Sequence, residues 1–258
     1  MDYHWDSCLK GYNQINRFHQ LSNSSVADGS KGPYVPGVCH GQNFQASLLL
    51  SHLLAAQYST SDVLLQPYLS SWDELVKFMD SLGSVVRLIS QEIESKTTII
   101  RQLAQLAGEN LEASQHTDAY HSVRSMIRAE LNSGLVDFHH QTDSGCRTLL
   151  RLHRALLWLK LFLQKLAEVP VAGRLRSPSE LCREAYQATL AHHHSWLVRR
   201  AAELAFIAMP ERGFFFRLVC VQNQDELSLV LGRVVQAIGV VYNRTEQALE
   251  EHGMLDLP

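Results

Sequence analysis

Gly145-Cys146-Arg147-Thr148-Leu149-Leu150-Arg151-Leu152-His153-Arg154-Ala155-Leu156-Leu157-Trp158-Leu159-Lys160-Leu161-Phe162-Leu163-Gln164-Lys165-Leu166 is apolar on most sides beyond Ala155. Lys160, Gln164 and Lys165 are the exceptions. A helix that is greasy around its circumference belongs in the middle of a fold, with other elements on both sides. Asp143 or Ser144 supplies a cap at its start. The stretch therefore predicts a central helix, the fifth of the chain, sandwiched between helical layers.

The flanking sequence repeats the helical period in both directions. Phe44, Leu48, Leu49, Leu53 and Leu54 make a first amphipathic helix. Ser61 and Asp62 are placed to cap a second, whose apolar face is Tyr68, Trp72, Leu75, Phe78 and Met79. Gly83 interrupts, and a third helix spans about 84–106. A fourth spans about 117–135. Pro170, Gly173 and Pro178 mark a loop, after which a sixth helix is expected over about 179–209, stopping at Pro210. A short helix at about 214–219 and a long one at about 224–252 complete the set. Valine and isoleucine nowhere alternate with polar residues over a strand length. The expected fold is all-α in two layers over residues 41–258, preceded by a flexible arm at 1–40 that is rich in small polar residues, glycine and proline.

Bulk composition narrows the function. A chain of 258 residues, 46% hydrophobic and 19% charged, builds one large domain. A net charge of −3 gives no general attraction to nucleic acid or acidic membranes, so any basic site is local. The five cysteines show no zinc spacing, and their odd, scattered set suits a reducing compartment. The start has neither a basic nor an apolar segment of a leader, and no run is long enough to span a bilayer.

Three places carry charge where the pattern is greasy. Arg147 and Arg151 stand one turn apart at the head of the central helix. Like charges at that spacing repel, and arginine's fork of donors suits phosphate oxygens. The pair is either solvated or paired with carboxylates, or it holds an anion at the mouth of an apolar cavity. Glu92 and Lys96 border the face made by Ile89, Ile93, Ile100 and Leu103. They are either an ordinary surface pair or part of a site. His192-His193-His194 lies inside the expected sixth helix, where neighbours point to different faces and cannot converge on one metal. One inward histidine donating a hydrogen bond is the remaining use. The greasy central helix itself fits an ordinary thick core, and equally a core that opens to hold a lipid.

Taken together, these segments resemble the glycolipid transfer protein family, in its ceramide-1-phosphate transfer protein branch. The matching pieces are Tyr68-Leu69-Ser70-Ser71-Trp72, Asp80-Ser81-Leu82-Gly83, Ser144-Gly145-Cys146-Arg147-Thr148 and Leu150-Arg151-Leu152-His153-Arg154-Ala155-Leu156. His194 with Trp196, Val198-Arg199-Arg200-Ala201 and the ending Leu255-Asp256-Leu257-Pro258 follow in order. The resemblance covers about 62–258 and leaves the arm outside.

The resemblance implies a two-layer sandwich holding one sphingolipid, with its headgroup at the surface and its hydrocarbon chains between the layers. In the phosphate-binding branch, Glu92 and Lys96 match an acid and a lysine, Arg147 and Arg151 match two arginines, and His194 matches a histidine. The sugar-binding branch carries a tryptophan where Arg151 stands and an asparagine where Lys96 stands. The implied roles are phosphate binding by Lys96, Arg147 and Arg151, with Glu92 accepting the lipid amide N–H and His194 donating to the amide carbonyl. The family's acid is typically aspartate, so Glu92 is a departure, longer by one methylene. His139-His140 replaces a basic pair near the membrane surface. Trp196, Arg199 and Arg200 are expected to dock on the membrane, the alternative for Trp196 being a partly buried core aromatic.

The expected protein is a monomeric cytosolic carrier of ceramide 1-phosphate. It touches membranes transiently, and needs no metal, cofactor or nucleic acid. A lipid-gated sensor, a carrier of neutral glycosphingolipids and a sphingolipid phosphatase are the alternatives. The last has no nucleophile motif or metal set behind it.

Overall fold

A computed structural model of the chain describes residues 38–57, 61–109, 119–169 and 175–258. The expected arm at 1–40 falls almost entirely outside them. Of its described end, Cys39 is buried and its N–H donates to Gln45 Oε1 at 2.7 Å.

The described residues form helices α1 (Ala46–Ala56), α2 (Leu65–Ser81), α3 (Ser84–Glu109), α4 (Val123–Asn132) and α5 (Gly145–Ala167). They continue with α6 (Pro178–Thr189), a 3₁₀ turn (Ala191–His193), α7 (Trp196–Ile207), α8 (Arg212–Leu218) and α9 (Gln224–Glu250). The only extended pairing among them is an isolated bridge between Leu64 and Ser122. One layer holds α1, α2 and α3 in chain order. The other runs α9, α5, α6, with α7 packed on α6. The layers meet where α1 lies on α9 and α3 lies on α5.

The central helix is α5, as its sequence predicts. Leu149, Leu152, Leu156, Leu159, Phe162 and Leu166 are buried on it, and α9, α6, α3 and α4 all touch it. Each such side chain contributes about 1.5–3 kcal/mol relative to exposure. The greasy face of α2, Tyr68, Trp72, Leu75, Phe78 and Met79, is fully inside. Phe215 of α8 lies 6.3 Å from Phe78 of α2 and 6.0 Å from Phe162 of α5, which links the two layers through aromatic rings.

Three expectations are corrected. First, the sixth helix is two helices. Leu190 closes α6, His194 is extended (φ −107°, ψ 143°), and Ser195 caps α7 by accepting from the Val198 N–H. Three histidines of modest helix propensity followed by a good N-cap residue favour this break. The histidine run therefore lies in a turn and not within a helix. Second, Asp62 does not cap α2, whose N-cap Leu64 has no side-chain bond. Asp62 accepts instead from the Val63 and Arg124 N–H groups and from Ser122 Oγ, tying the approach to α2 onto the start of α4. Third, Leu48 and Leu54 of α1 point outward, and the buried face is Ala46, Leu49, Leu50, Leu53 and Ala56. Gly83 does separate α2 from α3, at φ +118°, a value that favours glycine.

Candidate functional site

The position of the arginines follows from how α5 begins. Ser144 caps it, accepting from the Arg147 N–H at 3.1 Å. Glu130 of α4, 1% exposed, accepts from the next two free amides, Gly145 N at 2.7 Å and Cys146 N at 2.9 Å, and from Tyr120 Oη at 2.7 Å. A buried carboxylate on orphan amides at a helix N-terminus satisfies both the donors and the helix dipole. With the first turn fixed, Arg147, Arg151 and Arg154 follow along one stripe of the helix.

All three arginines reach the last residues of the chain. Arg147 Nε donates to the Pro258 backbone oxygen at 2.6 Å, and Arg151 Nη2 donates to the same oxygen at 2.8 Å. Arg151 Nη1 reaches the Leu257 and Arg147 carbonyls at 3.5 and 3.4 Å. Arg154 Nη2 donates to the Leu255 carbonyl at 2.8 Å. Among the described residues neither Arg147 nor Arg151 has an acidic side chain within ion-pair distance. Burial, then Arg147 and Arg154, brings the Arg151 guanidinium down to about 10. Burial also lowers Arg154, and Asp256 opposes that shift. Arg147 and Arg151 are thus partly buried charges whose acceptors among the described residues are main-chain oxygens.

The histidine turn approaches this stripe. His193 is lowered to about 4, first by partial loss of water and then by Arg154, His192, His194 and Arg151. His194, half-buried and lowered by that burial, has Nδ1 2.9 Å from Tyr186 Oη. Burial raises the Tyr186 phenol, so it stays protonated, and where it donates to Nδ1 the His194 proton stands on Nε2. Tyr186 and Arg154 were not singled out as site residues in the sequence, and His193 was named only within the histidine run; Arg154 had a signal in its spacing of one helical turn from Arg151.

Glu92 and Lys96 form an ion pair within α3, with the carboxylate side chain 67% exposed and the lysine 23%. Their helix packs against α5. Trp196 opens α7 with 65% of its surface exposed, so it is not a core aromatic, and the Arg200 guanidinium lies 5.5 Å from its ring centre. Arg199 is exposed beside it. Leu197, Leu204 and Ile207 are exposed on the same short helix. A cavity of about 280 Å³ lies elsewhere, between α2 and α3, lined by Leu65, Leu69, Ile100 and Tyr120. The Arg101 guanidinium at its rim is neutralised by Asp73.

No described helix is long and apolar enough to cross a membrane. The family model for glycolipid transfer protein matches residues 63–221. Ceramide-1-phosphate transfer protein from Xenopus laevis is 42% identical over 200 residues, covering 76% of this chain and 88% of the relative. The crystal structure of the mouse ceramide-1-phosphate transfer protein in its apo form superposes with a TM-score of 0.71 at 38% identity, covering 83% of this chain and 100% of the other. The human protein in complex with 2:0 ceramide-1-phosphate gives 0.70 at 38% identity, covering 83% and 98%. A central greasy helix headed by paired arginines, two helical layers around it and this extent of similarity agree: the chain belongs to the glycolipid transfer protein family, in the branch of the ceramide-1-phosphate transfer proteins.

Proposed function

We propose that this protein carries ceramide 1-phosphate between membranes, with the phosphate held by Lys96, Arg147 and Arg151. The observation that carries the reading is the arginine stripe, partly desolvated and without an acidic side-chain partner. A phosphomonoester bears about −1.5 to −2 charge at neutral pH. Three cations less the Glu92 carboxylate leave a matching positive charge. A neutral sugar headgroup would leave the arginines without an anion, so the same charges disfavour it.

The amide is read by two further groups. Glu92 accepts the lipid N–H, and His194 donates Nε2–H to the lipid carbonyl, its tautomer set by Tyr186. A diacylglycerol lipid has no amide N–H to offer Glu92.

The hydrocarbon chains lodge between the layers and contribute little to selectivity. Burying ~30 methylenes is worth on the order of 25 kcal/mol against water. The lipid leaves a bilayer where those methylenes were already dry, so the term nearly cancels between membrane and carrier. Reversible pickup follows, while passage through water without a carrier stays prohibitive. No bond is made or broken, and lipid recovered after transfer should be chemically intact.

The cytosol, with brief membrane contact, fits the buried free thiols of Cys39, Cys146 and Cys182. Trp196, Arg199 and Arg200 dock α7 on the bilayer, the indole at the interface and the guanidinium groups near anionic headgroups. Trp196→Ala is expected to slow vesicle-to-vesicle transfer about tenfold while leaving the affinity for a short-chain, water-soluble lipid unchanged. An equal loss in both measurements would place Trp196 in the lipid site instead. The function itself is tested by competition in a vesicle transfer assay. Ceramide 1-phosphate should displace labelled substrate, and glucosylceramide should not. Equal competition by the two lipids would remove the phosphate assignment.

A further inference from the structure

We infer that residues 255–258 are a positioning element of the headgroup site, holding the arginines of α5 in the geometry that receives the phosphate. This inference rests on the proposed phosphate role of Arg147 and Arg151. The tail is held at one end by Met254, fully buried, and near the other by Leu257, 4% exposed. Between and beyond these anchors its backbone oxygens point at α5. The Leu255 carbonyl takes Arg154, the Leu257 carbonyl takes Arg151, and the Pro258 oxygen takes Arg147 and Arg151 together.

The Leu255 and Leu257 carbonyls are neutral acceptors for Arg154 and Arg151, and the Pro258 main-chain oxygen is shared by Arg147 and Arg151. Asp256, the one acid in the segment, is exposed and acts on Arg154 rather than on the pair.

The donor count leaves room for a ligand. A guanidinium has five N–H groups. Arg147 uses its Nε–H on the tail, and no other bond to its side chain is formed among the described residues. Arg151 uses Nη1 and one Nη2 hydrogen, leaving Nε–H and the second Nη2 hydrogen. The tail therefore occupies one edge of each arginine and leaves donors for phosphate oxygens. Without it, two adjacent like charges repel and each flexible side chain has many rotamers to lose on binding. Pre-ordering them before the lipid arrives strengthens binding by reducing that loss.

The test compares two ligands in one protein. Binding of short-chain ceramide 1-phosphate and of short-chain ceramide is measured for the full chain and for a chain ending at Leu255. That truncation removes the oxygens that hold Arg147 and Arg151 and keeps a partner for Arg154. The expected result is about a tenfold fall in the preference for the phosphorylated lipid, with ceramide affinity unchanged. A merely structural tail would weaken both ligands equally and keep the preference, which overturns the inference. A rise in preference also overturns it, since the Pro258 oxygen would then be a competitor standing where a phosphate oxygen binds. Should the truncated chain fail to fold, Leu257→Ala in the full chain decides. It loosens the anchor without touching an arginine and should lower the preference about threefold. If the full chain itself shows no preference for the phosphorylated lipid, the proposed function fails. If the full chain shows the preference and both variants keep it, only the role of the tail fails.

Discussion

Arg151→Leu is expected to lower ceramide 1-phosphate transfer by about a hundredfold or more, while helicity and melting temperature of the lipid-free protein stay nearly unchanged. The functional loss follows from the bonds removed. Hydrogen bonds to charged groups contribute about 1.5–3 kcal/mol each, and a guanidinium offers a phosphate two at once. The stability expectation follows from the proton affinity of Arg151, which burial, then Arg147 and Arg154, bring down from its usual value to about 10. A base with a depressed pKa binds fewer protons folded than unfolded between those two values. The penalty of holding its charge is therefore present in full below about pH 10, and it fades only as pH rises towards the unfolded value. At pH 7 the substitution relieves this penalty and removes bonds to the tail, two effects of opposite sign. A change of no more than about 3 °C is expected. Lipid binding should raise the melting temperature of the native protein, because a ligand at a hundred times its Kd adds about 2.7 kcal/mol. The variant should lose that rise for ceramide 1-phosphate. Arg151→Lys keeps the charge without the fork and should fall between the two. A variant that transfers the lipid at the native rate would sink the headgroup assignment.

What could be read in the sequence is what lies within one helix. The burial of Leu149, Leu156 and Phe162 follows from the unbroken apolar run. The alignment of Arg147 with Arg151 follows from their spacing, and the break at Gly83 from glycine's freedom at φ +118°. What escaped lies between elements. The apolar period runs straight through Leu190, Ala191, Trp196 and Leu197, so nothing in it marks the histidine turn. Only the capping chemistry of Ser195 does, and a cap residue inside a periodic stretch is easily overridden. Asp62 has the right chemistry for a cap, but it bonds to Ser122 and Arg124, more distant in sequence than any local rule can reach. The same holds at the site. Tyr186 sets His194 from the preceding helix, His193 reaches the arginine stripe across the layer, and the tail comes from beyond α9. Trp196 could have been a core aromatic on periodicity alone. Its exposure follows from standing at the first position of a separate short helix.

The largest loss of stability is expected at Glu130, a residue with no part in lipid chemistry. Its two carboxylate oxygens take the amides of Gly145 and Cys146 and the Tyr120 hydroxyl in a site that excludes water. Glu130→Ala leaves these donors without acceptors in the interior. One unsatisfied buried group costs about 1–3 kcal/mol, and breaking a buried network of charged hydrogen bonds costs about 3–5 kcal/mol. For a domain of this size that corresponds to a fall in melting temperature of about 6–20 °C. Gly145 belongs to the same device. A Cβ there would lie 2.6 Å from Glu130 Oε1 and 2.8 Å from Met126 Sδ, so the close approach of α4 to the start of α5 requires glycine. Gly145→Ala should therefore destabilise by itself. In the double variant the two losses should not add, because removing the carboxylate also removes the nearer of the two clashes. Thermal unfolding of the two single variants and the double variant measures that coupling. Strict additivity would show that Glu130 and Gly145 act independently. The consequence reaches the lipid site through geometry alone. Arg147 stands on the first turn that Glu130 and Ser144 fix, so a frayed start of α5 displaces one of the two arginines. Glu130→Ala should then weaken short-chain ceramide 1-phosphate binding even at temperatures where the chain remains folded, and should affect short-chain ceramide far less.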